Sequence, residues 1–187
     1  MVSNMKDQQP IPLKAIDQLL EQLISTGKEQ VHDICVFMLN SGLRIAEIIE
    51  IKFSDIDFST GVLEMETPKA RTSGSQSHKI QLNEKCLALF TKLRSQYPDD
   101  IWLFQSRNSN NQKNKQPRGI SRQAVNNVIK QANQHTEHNL SLHSFRHAYA
   151  TNYLKTQLSS DSILDVKAFF GHTSTSMTSM YINKAKN

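Results

Sequence analysis

The chain has 187 residues, a hydrophobic fraction of 37% and a formal net charge of +5 at pH 7. A chain of this length is most economically one compact domain, and its apolar content is enough for one ordinary core. No run approaches the roughly 18 apolar residues that a membrane-spanning helix needs, and the first ten residues lack the apolar segment of a signal peptide. These features argue against the membrane and secretory classes, and we expect a cytoplasmic protein.

The positive charge is concentrated in one part of the chain. Between residues 101 and 136 there is no Asp or Glu, yet six basic residues occur there: Arg107, Lys113, Lys115, Arg118, Arg122 and Lys130. Such asymmetry suits a polyanionic partner, whose phosphates would be neutralised with release of counterions. Charge alone fits equally well with a basic loop that is only solvated.

The cysteine and histidine patterns predict neither a disulfide nor a metal site. Cys35 and Cys86 each lie in an apolar helical pattern, so we expect buried free thiols in a reducing cytosol. The 7 His form no arrangement such as CxxC or HExxH.

Three helical segments are predicted in the first part of the chain, after a flexible polar leader at residues 1–10. The first runs over residues 11–24 and is closed by Gly27. The second is a buried helix whose apolar positions begin at Val31 and whose pattern is interrupted at Gly42. The run RIAEIIEI then starts a fresh helix.

Arg44, in the first turn of that third helix, is a candidate anion-binding residue. Backbone N–H groups and the helix dipole favour anions at a helix start, so an Arg beside them would clamp a phosphate. Glu47, one turn on, can orient a neighbouring charged group. The alternative is a structural ion pair between Arg44 and Glu47 or Glu50.

The middle of the chain is predicted to contain a β-hairpin. Strands are expected at residues 62–67 and 78–82, since turn signals bound short segments of strand character. The long polar loop between them, PKARTSGSQS, carries Lys69 and Arg71.

Two helices and a loop are predicted to follow the hairpin. One helix should cover residues 84–97 with Asn83 as its N-cap, and another should run from Ser121, its N-cap, to about residue 135. Between them, IWLF is a short apolar anchor, and QSRNSNNQKNKQPRG is an exposed basic loop.

The segment LSLHSFRHAYATNYLK has helical periodicity and two distinct faces. At 100° per residue, one face collects apolar side chains and should be buried: Leu142, Phe145, Tyr149 and Tyr153. The adjacent face carries Ala150 and presents two imidazoles and a guanidinium: His143, Arg146 and His147. Further on come FFGH, ending at His172, and Tyr181 nine residues later.

Five elements in this order, SGLRIAEI, Lys69, HSFRHAYAT, FFGH and Tyr181, resemble the tyrosine recombinase (phage integrase) family. The resemblance covers roughly residues 13–181. It implies the catalytic-domain fold of that family at residues 11–187, mainly α with a small antiparallel β-sheet. Family members usually carry a separate N-terminal domain, which we do not expect in this chain, either because the protein is naturally minimal or because the chain is an excised catalytic domain. Six residues follow Tyr181, where many relatives have a helix that packs into a neighbouring protomer.

The resemblance implies the roles of the basic residues. The two arginines that contact the scissile phosphate match Arg44 and Arg146, which we expect to add little to folding. Lys69 matches the hairpin lysine that protonates the departing oxygen, with Arg71 or Lys79 as alternatives.

The remaining roles also follow from the family. His143 exchanges protons or bonds the phosphate, His172 donates a further hydrogen bond, and Tyr181 attacks to give a 3′-phosphotyrosyl link. Glu47 and His147 are supporting residues. The energy of the broken bond is kept in the covalent link, so neither ATP nor a metal is needed, and no cofactor is predicted.

The implied partner is double-stranded DNA, with the protein associated with the nucleoid. Its DNA-binding residues are predicted to be Arg71, Lys113, Lys115, Arg118 and Arg122. The resemblance also implies self-association as a tetramer on DNA, and accessory DNA-bending proteins. Two alternatives stay open: a type IB topoisomerase, whose chemistry is the same, and a catalytically idle DNA-binding module or recombination regulator.

Overall fold

The computed structural model describes residues 12–66, 77–107 and 116–156. In these ranges lie the helices α1 (Leu13–Ser25), α2 (Glu29–Ser41), α3 (Ile45–Ile48), α4 (Glu84–Gln96), α5 (Arg122–Asn133) and α6 (Leu142–Thr156). The strands are β1 (Ile56–Asp57), β2 (Val62–Glu66) and β3 (Ser77–Gln81), and a 3₁₀ turn covers Phe53–Asp55. The predicted fold class, mainly α with a small antiparallel sheet, is confirmed.

Helix α2 lies at the centre of the core and packs against α1, α4, α5 and α6. Its Phe37 ring centroid is 5.1 Å from that of Phe90 in α4 and 6.3 Å from that of Phe104. Cys35 and Cys86 are buried free thiols, as predicted. Burial raises the pKa of the Cys35 thiol and raises that of Cys86 to about 12, so both stay protonated and unreactive near neutral pH.

The helix ends follow the local chemistry that the sequence predicts. Gly27 and Gly42 have φ values of 67° and 66°, the left-handed conformation that glycine adopts at a helix end without steric cost. The predicted N-caps are confirmed: the Asn83 side chain accepts from the Cys86 N–H at 2.9 Å, and Ser121 Oγ accepts from the Ala124 N–H at 3.1 Å.

The three strands form one antiparallel sheet in the order β1-β2-β3. The predicted hairpin is present, with Leu63 opposite Ile80. The first strand was not predicted, since two residues carry no usable periodicity. Its turn is built by Asp57, whose carboxylate accepts from the Ser59 and Thr60 hydroxyls at 2.6 and 2.8 Å. These hydrogen bonds lower the pKa of Asp57 to about 2.

The segment after α4 packs against the end of α3. Leu103 and Phe104 are buried, as expected of an apolar anchor. Their strand-like segment pairs with residues 118–120, where the Ile120 N–H donates to the Phe104 carbonyl at 2.8 Å. Gly119 packs so closely on the chain after α3 that a Cβ atom there would lie 2.1 Å from the Ile49 carbonyl oxygen.

Within the described ranges, none of the helices has both the length and the apolar character needed to cross a membrane.

Candidate active site

The turn between α2 and α3 places Arg44. Gly42 ends α2, and the buried Leu43 anchors the turn in the core. Arg44 then has extended backbone angles, φ −75° and ψ 147°, and is the N-cap of α3 rather than a residue of its first turn. Because α3 has four residues, its dipole is small. The positive charge at this point therefore comes mainly from the arginine itself.

Glu47 contacts both arginines. Its carboxylate accepts from the Arg44 backbone N–H at 2.6 Å and from Arg44 Nη1 at 3.3 Å. The same carboxylate lies 3.9 Å from Nη1 of Arg146. The ion pair of Arg44 with Glu47, which the sequence left as an alternative, is therefore present. It does not exclude an anion, since about half of the Arg44 side chain, 48%, is exposed.

Arg146 is buried, with 3% of its surface exposed. Its Nη1 donates to the carbonyl oxygen of Gly42 at 2.8 Å, across 104 residues of sequence. A buried guanidinium is costly unless its donors are paired, so this bond and Glu47 hold it in place. The expectation that both arginines add little to folding does not fit Arg146, which joins α6 to the end of α2.

His143 lies beside these charges on the exposed side of α6. Partial burial of its ring lowers the pKa of His143, and the positive charges of Arg146 and Arg44 lower it further. The imidazole is therefore neutral near pH 7 and can accept a proton. His147 packs against it edge to face, with the ring centroids 4.7 Å apart and the planes at 80°.

The two faces predicted for α6 are present only in part. Leu142 and Phe145 are buried, whereas Tyr149 and Tyr153 are half-buried and stack on each other with centroids 6.0 Å apart. Arg146 and Ala150, both expected on the adjacent face, lie inside. Helical periodicity places a residue on a face but does not say how deeply the facing element covers it.

Four of the predicted site residues are brought together: Arg44, Glu47, His143 and Arg146, with His147 beside them. Lys69, His172 and Tyr181 lie outside the described residues, as do Arg71, Lys113 and Lys115. Of the alternatives for the hairpin acid, Lys79 pairs across the strands with Glu64 at 3.4 Å. The roles of all these residues stay predictions.

The basic residues between positions 101 and 136 differ in whether their charge is already paired. Arg107 Nη2 pairs with Asp100 Oδ2 at 2.5 Å, and its guanidinium lies 3.3 Å from the Tyr97 ring centroid. The charge of Arg107 is therefore neutralised by Asp100, which lies just before this range. Arg118 and Arg122 are exposed on either side of Ser121. They remain available to an anion.

Sequence reasoning missed one member of the site, the carbonyl oxygen of Gly42. The glycine was recognised as the end of a helix, but a backbone acceptor carries no side-chain signal. Its role as the partner of Arg146 depends on how α6 packs against α2. Within the described residues, no group of three or more His, Cys, Asp or Glu side chains could hold a metal ion.

The model of the phage integrase family matches residues 11–187, and the chain belongs to this family. It is 26% identical over 183 residues to the tyrosine recombinase XerA of Pyrococcus furiosus, covering 95% of this chain and 59% of the relative. It is 23% identical over 177 residues to a probable integrase/recombinase of Methanocaldococcus jannaschii, covering 91% and 52%. The chain thus spans little more than half the length of these relatives.

Solved structures share the fold. A crystal structure of XerA recombinase superposes with a TM-score of 0.66 at 19% identity, covering 92% of this chain and 59% of that one. A Tn1549 transposon integrase in complex with transposon right end DNA gives 0.68 at 16% identity, covering 100% and 66%. At these identities the comparison concerns the fold alone, which is that of tyrosine recombinases.

Proposed function

We propose that this chain is the catalytic domain of a site-specific recombinase that cuts and rejoins double-stranded DNA through a 3′-phosphotyrosyl intermediate. The observation that carries the proposal is the cluster around Glu47, whose carboxylate contacts both arginines. His143 lies close enough to Arg44 and Arg146 for their charges to lower its pKa. Two guanidinium groups beside a neutral imidazole suit the cleavage of a phosphodiester.

The arginines would stabilise the charge that develops on the two non-bridging oxygens. Guanidinium is planar, permanently charged and able to donate two parallel hydrogen bonds. Arg146 is fixed by burial and by the Gly42 carbonyl, so it would not need to reorganise during the reaction. Arg44 is half-exposed, and DNA can approach it from solvent.

The covalent step would use Tyr181 as the nucleophile. Its oxygen forms a bond to phosphorus, the bond from phosphorus to the 5′ oxygen breaks, and Lys69 gives that oxygen a proton. An ordinary tyrosine ionises near pH ~10, so its proton needs an acceptor. His143 would take it, since its lowered pKa keeps the ring neutral. His172 would donate a further hydrogen bond to the phosphate.

Rejoining would reverse these steps with the 5′-hydroxyl of another strand. Because the phosphotyrosyl bond keeps the energy of the broken one, the reaction would need neither ATP nor a metal ion. Assembly as a tetramer on DNA, with accessory DNA-bending proteins, belongs to the same proposal. The Tn1549 integrase in its complex with DNA offers a fold-level precedent for DNA binding.

A nicked suicide substrate tests the proposal, in EDTA and without ATP. The wild-type chain should form a covalent adduct that survives SDS. Tyr181→Phe should bind DNA as well as wild type but form no adduct, because phenylalanine has no nucleophilic oxygen.

The controls separate the alternatives. An adduct formed by the Phe variant at the wild-type level would refute the assignment of Tyr181. DNA binding by the wild type without any adduct would favour the idle DNA-binding module. Relaxation of supercoiled plasmid at sites unrelated in sequence would favour a type IB topoisomerase.

A further inference from the structure

His147 packs its ring against that of His143, one helical turn away on α6. The centroids are 4.7 Å apart and the planes meet at 80°, an edge-to-face arrangement that aromatic rings favour. His147 is more covered than His143, whose ring is partly buried but lies nearer the surface. The more enclosed ring therefore lies against the more exposed one.

An exposed imidazole without such support would sample several rotamers, and ordering it for reaction would cost conformational entropy. The charged groups that face His143 are Arg146 on its own helix and Arg44 at the start of α3. Glu47 contacts both arginines. These charges favour the neutral form of the His143 ring, whereas the edge-to-face contact with His147 also depends on the direction in which the ring faces. Within the described residues, the His143 ring makes its aromatic contact with His147.

We propose that His147 is a positioning residue, whose ring holds the His143 imidazole in the orientation needed to exchange a proton at the scissile phosphate. The inference rests on the proposed function. It assigns the role to the aromatic surface of His147 and not to its own proton, because an edge-to-face contact needs a flat ring and no particular protonation state.

Two variants of the full chain distinguish a role of the flat His147 ring from a role of its proton. His147→Phe keeps a flat ring at this position, and His147→Ala removes it. The first readout needs no DNA: the pKa of His143, followed by the NMR signals of its ring protons. The second is single-turnover cleavage of the suicide substrate across pH 5–9, at saturating protein.

In His147→Ala, the His143 ring should turn toward solvent, and its pKa should rise toward the ordinary value of about 6.5. Cleavage should fall on the order of tenfold or more, part of the 10²–10⁴ that a positioned base contributes. Its acidic limb should move to higher pH, because a less depressed pKa leaves His143 protonated over a wider range. DNA affinity should be unchanged. His147→Phe should stay near wild type in both readouts.

His138→Ala, at an exposed histidine outside the cluster, is the matched control and should change neither readout. An unchanged His143 pKa with wild-type cleavage in His147→Ala would overturn the proposal, even if the variant melts earlier. Equal losses in the Ala and Phe variants would also overturn it, since they would make the proton of His147 the essential feature. If the wild type forms no adduct, the proposed function fails, but the NMR titration still decides whether His147 positions the ring.

Discussion

At the scale of single residues, the two arginines of the cluster differ in what they do for the fold. Arg146 is enclosed and bonded to the Gly42 carbonyl, whereas 48% of the Arg44 side chain is exposed. Removing a buried, paired charge leaves its partners unsatisfied and costs about 3–5 kcal/mol. An exposed pair such as Arg44 with Glu47 contributes about 0–1 kcal/mol. Truncating Arg146 would therefore confuse loss of chemistry with loss of folding.

Arg44→Ala is the cleaner variant. We expect single-turnover cleavage to fall by about 10²–10³, as for the loss of other donors to a developing oxyanion. The free energy of unfolding, measured by denaturant titration, should change by less than about 1 kcal/mol. A large loss of stability with intact cleavage by the remaining folded protein would show that Arg44 is a structural residue. Arg146→Ala, in the same assays, should lose both cleavage and stability.

At the scale of elements, the sequence predicted the features that depend only on residues close together in the chain. The caps Asn83 and Ser121 bond to N–H groups three residues on, and Gly27 and Gly42 end helices through their own φ angles. Such features need no knowledge of the rest of the chain. For this reason the hairpin and the longer helices lie close to their predicted bounds, whereas α3 has four residues where the eight-residue run RIAEIIEI was expected to be helical.

The contacts that the sequence could not supply join distant parts of the chain. Gly42 bonds to a guanidinium 104 residues away, and Gly119 touches the backbone at Ile49. The pairing of Arg107 with Asp100 spans a turn whose shape depends on its packing. Residue types at these positions are compatible with many partners, so only the folded arrangement selects one. The candidate site was thus predicted as a set of side chains, but not with its backbone acceptor or its burial.

Gly119→Ala tests the contact between the 118–120 segment and the chain that follows α3. A Cβ atom would lie 2.1 Å from the Ile49 oxygen, so the 118–120 segment must shift away from α3. We expect unfolding to become easier by about 1–3 kcal/mol, the usual cost of overpacking. Chemical denaturation measures this cost. Gly27→Ala is the control, since its φ is +67° but nothing lies within 4 Å. It should show backbone strain alone, about 1–2 kcal/mol, without loss of cleavage per folded molecule.

A steric role of Gly119 predicts that the two glycine variants also differ in cleavage. Because the displaced segment abuts the chain that follows α3, Gly119→Ala should also slow cleavage by the folded fraction. Wild-type cleavage and wild-type stability in Gly119→Ala would mean that the segment separates from α3 without cost.

At the scale of the whole molecule, the central helix links the core to the candidate site. Helix α2 packs against α1, α4, α5 and α6, and it is followed directly by Gly42, to which Arg146 bonds. Two residues further along the chain is Arg44. The two arginines therefore share one anchor, although they belong to different helices. Any movement of α6 relative to α2 would change the distance between the guanidinium groups and hence, under the proposed function, their fit to a phosphate.

The distribution of charge over the molecule gives the last prediction, on DNA affinity. We expect the chain to bind duplex DNA weakly and with strong dependence on salt. Each neutralised phosphate adds roughly 0.9 to the slope of log K against log salt concentration. Replacing Lys113, Lys115 and Arg118 with Gln should therefore flatten that slope by up to about 3. Arg107 is left in place, because Asp100 already neutralises it. Fluorescence anisotropy over a range of salt concentrations measures the slope.

The matched control removes three positive charges elsewhere, from the exposed Lys14, Lys28 and Lys85. Both triple variants have the same net charge, so a difference between their slopes reports local contact and not the overall field. Cleavage of saturated complexes should be nearly unchanged in the loop variant, since its lost contacts hold DNA without touching the reacting phosphate. An unchanged slope would show that the loop is only solvated. The positive path for DNA would then have to lie elsewhere, around Arg44, Lys69 and Arg146, of which Arg44 is exposed and Arg146 enclosed.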